Sequence, residues 1–136
     1  MNCVVEDIIS FLKELACTDE IKSDSDIFAD VGMVGDDFHE MIEKYAMRYS
    51  VDMKDYLWYF HTDEEGQNFG AFLFTPPYRL VKRIPVTPTM LTEFANKGKW
   101  DIKYPEHKMP KKRYDILINL VLVIVFVVWL IYKWLK

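Results

Sequence analysis

The sequence is poor in the residue types that build most catalytic and metal centres. It contains two cysteines, three histidines and five glycines among 136 residues. Cys3 and Cys17 have neither metal-site spacing nor the number needed for a disulfide framework, so both are expected to be free thiols in a reducing compartment. The glycines form no phosphate-binding loop, and no serine or cysteine has the context of a nucleophile. The composition therefore favours a protein that is not an enzyme, with no catalytic residue, metal or cofactor.

Positive charge is scarce in the first half of the chain. Residues 1–65 carry 5 Lys/Arg and 17 Asp/Glu, a net charge of −12, whereas residues 66–113 carry 10 Lys/Arg and 3 Asp/Glu, a net charge of +7. A domain that binds nucleic acid needs a basic footprint for the phosphate backbone. The acidic half therefore argues against a nucleic-acid partner and favours a basic protein partner.

One long apolar run occurs, at residues 116–132. It contains no charged residue and one strongly polar residue, Asn119. As a helix it measures about 26 Å, and continuing through Leu135 brings it near the ~30 Å of a hydrocarbon core. We therefore predict a transmembrane helix over residues 115–136, in preference to a buried core helix.

The flanking charges predict the orientation of this helix. Residues 1–13 lack the positive start and the apolar run of a secretory signal. Four basic residues lie between positions 108 and 113, whereas only Lys133 and Lys136 follow the run. The positive-inside rule then predicts one membrane crossing with a cytoplasmic N-terminal domain. We expect a basic juxtamembrane linker over residues 101–114, whose lysines serve as topology determinants, as contacts for anionic lipid headgroups, or as both.

Three stretches show the apolar spacing of amphipathic helices. They are residues 4–16, residues 36–49 and a stretch that begins at Thr87-Pro88 and stops at Gly98. Asp36 or Asp37 is expected to cap the second helix. Residues 18–35 predict an ordered acidic connection with apolar anchors. A calcium loop counted from Asp24 is excluded there, because alanine and glycine occupy the positions that require glycine and glutamate.

The middle of the chain is rich in aromatic residues. Two short aromatic runs, residues 56–61 and 69–74, surround a glycine-containing turn, which predicts a β-hairpin. Their rings are expected to belong to the core, with the lining of a ligand cleft as the alternative. The predicted fold class is therefore α+β, a helical domain over residues 1–100 with a small β-hairpin, plus the C-terminal transmembrane helix.

The start of the second helix resembles acyl carrier proteins. Those proteins carry an Asp-Ser-Leu motif there, and its serine bears phosphopantetheine. Over residues 4–52 of this chain, Asp36 matches the motif aspartate, Asp37 the serine and Phe38 the leucine. The resemblance implies a carrier-protein-like helical domain. Because Asp37 offers no hydroxyl, it also implies that the prosthetic group is absent and that the acidic surface alone is retained.

A second resemblance covers nearly all of the soluble part. Pro76-Pro77, the run Ile84-Pro85-Val86-Thr87-Pro88 and Gly98-Lys99-Trp100 are similar to an uncharacterised bacterial family of acyl-carrier-protein-like proteins. That family brings no known activity. Because the family is bacterial, the predicted span and flanking charges together imply a location in the bacterial inner membrane, with the carrier-like domain on the cytoplasmic side.

The outward face of the second helix is the candidate binding surface. Its members are Asp36, Asp37, His39, Glu40 and Glu43. The alternatives are a solvated face, a zinc site that uses His39 and Glu43, and an acid–base pair of Asp36 and Asp37.

The favoured function is a membrane-tethered, non-catalytic interaction module. It would dock onto a basic surface of an envelope or lipid-metabolism protein. The rival hypotheses are an inhibitor or immunity-type protein and an enzyme that uses the acidic cluster or an aromatic cleft.

Overall fold

The computed structural model describes residues 2–136, and its regular secondary structure is helical. The α-helices are α1 (Val5–Leu15), α2 (Gly35–Tyr49), α3 (Pro88–Lys97) and α4 (Tyr114–Leu135), and three short 3-10 helices lie at Trp58–Phe60, Phe69–Phe72 and Pro77–Arg79. Within residues 2–136, pairing between extended segments is limited to one isolated parallel bridge, Asp52 to Lys99. The bridge joins the chain leaving α2 to the chain leaving α3.

The predicted α+β class and its β-hairpin are therefore wrong. Both aromatic runs form 3-10 turns instead of strands. The Asn68 side chain accepts a hydrogen bond from the backbone N–H of Ala71 at 3.1 Å, a local bond that competes with a strand ladder. The backbone carbonyl of Phe60 accepts from the N–H of Ile84 at 2.6 Å, so its partner lies outside the predicted hairpin.

The three amphipathic helices are confirmed, and their apolar faces form the core. The buried side chains come from each helix in turn: Ile8, Phe11 and Leu12 of α1, Phe38, Met41, Ile42 and Tyr45 of α2, and Leu91, Phe94 and Ala95 of α3. The Tyr45 hydroxyl donates to the Leu91 carbonyl at 2.5 Å, which ties α2 to α3 across this core. The acidic connection is anchored as expected, by the buried Ile21 and Ile27.

The ends of α2 and α3 are set in different ways. Thr87 caps α3 through its side chain, Pro88 occupies the first turn, and Gly98 ends the helix with φ of 73°, all as the sequence predicts. Neither Asp36 nor Asp37 caps α2, which begins one residue earlier, at Gly35. The carboxylate of Asp63 accepts a hydrogen bond from the Gly35 N–H at 3.0 Å. A residue 28 positions away thus takes the role expected of a local cap.

A hydrogen-bond network surrounds the buried His61. Its Nε2 lies 2.7 Å from the Tyr104 hydroxyl, and its Nδ1 lies 2.9 Å from the Ile84 carbonyl. The same hydroxyl accepts from the Trp100 indole at 2.8 Å and the Leu57 N–H at 3.3 Å. Both of those groups are donors only, so the hydroxyl donates to Nε2 and Nδ1 carries the proton. Desolvation lowers the pKa of His61 to about 4 and keeps the ring neutral.

Helix α4 is long and apolar enough to span a membrane, and its side chains are exposed along almost its whole length. Its first turns contact the 3-10 helix Phe69–Phe72 through polar groups. Asn119 accepts from the Gly70 N–H at 2.9 Å and donates to the Asn68 side chain at 2.9 Å. Asn68 in turn donates to Asp115 at 2.9 Å. We call Asn68, Gly70, Asp115 and Asn119 the helix-docking cluster.

The expectation that the aromatic rings belong to the core holds for only part of the set. Phe60 is buried, and Trp58 and Tyr59 are half-buried. Phe69, Phe72 and Phe74 are exposed, and Phe72 is 93 % exposed. The core prediction is wrong for these three rings, because this segment packs against the start of α4 and not into the core of the domain.

Candidate functional site

The structure places the predicted binding residues on one side of α2. Asp36, Asp37, Glu40 and Glu43 are exposed, and His39 is half-buried. Glu40 forms an ion pair with Lys44, one turn later, at 2.5 Å. Because both partners are largely exposed, this pair contributes little to stability and leaves the face available. The opposite side of α2 is committed to the core.

A groove of about 520 Å³ runs beside this acidic face. We call it the α2 groove, and it is lined by His39, Ile42, Glu43, Ala46, Met53, Tyr56, Trp58, Glu64 and Arg113. Its lining is mostly apolar, and Glu43 supplies a negative charge, whereas the charge of Glu64 is paired with that of Arg113. The His39 and Trp58 rings lie 5.7 Å apart, which fixes the wall between α2 and the aromatic turn. Such a groove suits a segment with an apolar side and a basic side.

One end of the groove is closed by Arg113, the residue directly before α4. Its guanidinium donates to the Glu64 carboxylate at 2.7 and 2.9 Å and to the Asp115 carboxylate at 2.9 and 2.6 Å. Hydrogen bonds to Glu64 and Asp115 raise the pKa of Arg113, so the guanidinium stays charged. This bidentate geometry connects the groove to the start of α4.

A smaller depression of about 310 Å³ continues from the acidic face toward α4. Asp36 and His39 form one wall, the turn from Glu64 to Asn68 forms another, and Ile116 and Asn119 of α4 close it. The acidic surface of α2 therefore extends to the beginning of the apolar helix.

The ionisable groups of this face are carboxylates and one imidazole. Asp37 is exposed in the first turn of α2. His39 and Glu43 lie one turn apart on α2. Across residues 2–136, no group of three or more His, Cys, Asp and Glu side chains is arranged to hold a metal ion.

Several residues of this region were not singled out from the sequence. Glu64 lies in a stretch that the sequence assigned to a turn, and Arg113 was assigned a role in membrane topology. The ion pair between them joins positions 49 residues apart, so no local sequence pattern could predict it. Asn119 carried the one available signal, since it is the only strongly polar residue in the apolar run.

Comparison with known proteins assigns the chain to a family without assigning an activity. Neither the curated proteins nor the solved structures contain a match to this chain. Residues 1–103 match the family model described as a protein of unknown function (DUF1493). The match ends within the first residues of the basic linker, before α4. The chain belongs to the DUF1493 family through its helical domain.

Proposed function

We propose that this protein is a membrane-tethered, non-catalytic, carrier-protein-like interaction module. It docks a basic partner of the bacterial envelope or of lipid metabolism onto the acidic face of α2. The observation that carries the proposal is that the exposed acidic face lies directly beside the apolar α2 groove. Charge steers the partner, and burial of an apolar anchor in the groove supplies affinity.

The position of the groove favours a partner at the membrane. Arg113 closes the groove and directly precedes α4, whose length and apolar surface suit a membrane span. If α4 is inserted in the inner membrane with the domain in the cytoplasm, as the flanking charges predict, the docking face lies next to the bilayer. Membrane proteins and membrane-associated enzymes are then the partners within reach.

The carrier-protein interpretation limits the mechanism to recognition. A phosphodiester to phosphopantetheine needs a hydroxyl oxygen, and the carboxylate of Asp37 provides none. The proposed module therefore presents a carrier-like acidic helix without carrying an acyl chain. It would compete with or recruit enzymes that recognise such a helix.

The test reverses charge on the acidic face and compares it with an equal reversal elsewhere. Glu40→Lys with Glu43→Lys changes four units of charge on α2. Asp19→Lys with Glu20→Lys makes the same change on exposed residues of the acidic connection. Partners are crosslinked in native membranes and recovered with the full chain at low and high salt, since screening shortens from about 10 Å at 0.1 M to 3 Å at 1 M.

We expect the α2 variant and high salt to reduce recovery of the same partner, while the control variant recovers it as the wild type does. Equal loss in both double variants would show a dependence on net charge alone and would refute docking through α2. Recovery unchanged in every condition would refute the acidic face as the contact. A toxin recovered as the partner would favour the inhibitor or immunity-type alternative.

A further inference from the structure

A cluster of large apolar side chains is exposed next to α4 and has no role in the core. Its members are Phe69, Phe72, Leu73, Phe74 and Leu80, which we call the Phe72 patch. Phe72 is 93 % exposed and Leu73 is 75 % exposed. Soluble proteins rarely expose contiguous apolar surface of this kind without a partner to cover it. The patch therefore needs an occupant.

The helix-docking cluster fixes where this patch lies along α4. The Gly70 N–H donates to the Asn119 side chain at 2.9 Å. Asn119 is three residues beyond Ile116, the start of the apolar run, which is about 4.5 Å along the helix axis. The 3-10 helix Phe69–Phe72 thus lies beside the first turn of the apolar run.

The contact between the turn and α4 is close and specific. A methyl group added to Gly70 would lie 1.9 Å from the backbone carbonyl oxygen of Asp115, so only glycine permits this approach. Phe74 packs on Tyr114 with ring centroids 5.2 Å apart. Since α4 and the turn form one unit, any surface that surrounds the start of α4 also meets the Phe72 patch.

Basic residues lie next to the patch. Arg79 lines a depression with Phe72, and Lys112 lines one with Leu73, Phe74 and Leu80. Lys82 and Lys111, close to them in the sequence, are exposed. Aromatic and leucine side chains next to Lys and Arg are the composition of segments that lie in the headgroup region of a membrane. Anionic headgroups complement these charges, and the acyl boundary complements the rings.

We propose that the Phe72 patch inserts into the headgroup–acyl boundary of the leaflet that α4 enters. This inference rests on the proposed membrane tether. The patch gives the domain a second membrane contact, which adds to the helix-docking cluster and the Arg113–Glu64 pair in holding the domain in one orientation at the bilayer. That orientation keeps the α2 groove at a constant height above the bilayer. It also gives Asn119 a function as the link that holds the turn at the correct depth.

The test compares spin labels at three positions of the full chain in vesicles of phosphatidylethanolamine and phosphatidylglycerol. Leu73→Cys reports the patch, and Val125→Cys reports the middle of α4. Met47→Cys is the matched control, because Met47 on α2 is 75 % exposed, as Leu73 is. All three are made in a Cys3→Ala, Cys17→Ser background. Accessibility to oxygen, which concentrates in lipid, is measured against accessibility to a water-soluble nickel complex.

We expect the ratio of oxygen to nickel accessibility at position 73 to approach that at position 125 and to exceed that at position 47. A ratio at position 73 equal to that at position 47, with position 125 in lipid, would overturn the patch insertion and leave the tether intact. Low accessibility to both reagents at position 73 would overturn it in favour of a protein contact, such as a second copy. A water-exposed position 125 would overturn both the tether and this inference.

Discussion

The buried His61 makes stability depend on pH in a window where few other groups titrate. The ring is 1 % exposed, and desolvation lowers its pKa from 6.5 to about 4. Protonation would place a hydrogen on Nε2, the second N–H of the ring, facing the Tyr104 hydroxyl. That hydroxyl already accepts from Trp100 and Leu57, so it has no lone pair left for a third donor. The folded state therefore resists the proton that the unfolded chain binds.

The direction and size of the effect follow from linkage. Above pH 6.5 the ring is neutral in both states, and the free energy of unfolding is at its full value. Between pH 6.5 and about 4 the unfolded state binds more protons, so the free energy of unfolding falls as pH falls. Integration over these two pKa values predicts a loss of about 2 kcal/mol between pH 7.5 and pH 5. The full loss, below pH 4, is about 3 kcal/mol.

The Asp26 carboxylate acts in a lower window. Desolvation opposes its ionisation, but the hydrogen bonds from Arg83 and from the backbone N–H groups of Phe28 and Ala29 together outweigh desolvation and lower the pKa. A carboxylate of this kind stabilises the fold above its unfolded pKa, and the contribution is lost as pH falls through the lower folded value. The interval from pH 6.5 to pH 5 lies above the window of Asp26, so we expect His61 to produce the slope there.

The assay is equilibrium unfolding in urea of the full chain in lipid nanodiscs, followed by the near-ultraviolet signal of the aromatic core. The comparison variant is His61→Asn, whose amide nitrogen replaces the donor to the Ile84 carbonyl and does not titrate. We expect the variant to be less stable than the wild type at pH 7.5 and to lose the slope between pH 6.5 and pH 5. A wild-type free energy that is flat across this interval would refute the reasoning, as would an equal slope in both proteins.

Two further predictions concern the turn beside α4 and the start of α2. Gly70→Ala should lower the free energy of unfolding by about 1–3 kcal/mol and speed amide exchange at Asn68 to Phe74, because its methyl group meets the Asp115 carbonyl. Since φ at Gly70 is not positive, a gain of about 0.4–1 kcal/mol would instead show that the turn does not contact α4. Intact mass spectrometry after co-expression with a phosphopantetheinyl transferase should show no added phosphopantetheine, since Asp37 has no hydroxyl. An added mass of one such group would contradict this.

The sequence by itself determined the helices and the apolar span. Periodic apolar spacing assigned α1, α2 and α3 with their buried faces, and the Thr87-Pro88 start and the Gly98 stop set the ends of α3. Composition alone marked α4 as long and apolar enough to cross a membrane. These features are local, because helical spacing, capping residues and an uncharged run can each be recognised within about ten to twenty consecutive residues.

Only the tertiary structure decided the central third of the chain. Short aromatic runs suit strands, core helices or turns alike, and the choice depends on partners elsewhere in the sequence. The Asp63 carboxylate, and not a side chain next to α2, accepts from the Gly35 N–H at the start of that helix. The Phe60 carbonyl, which the hairpin would have paired within the aromatic segment, accepts from the Ile84 N–H. The Phe72 patch is exposed because Asn119, 49 positions from Gly70, holds the turn against α4. Such contacts join residues that are distant along the chain, so no local pattern in the sequence specifies them.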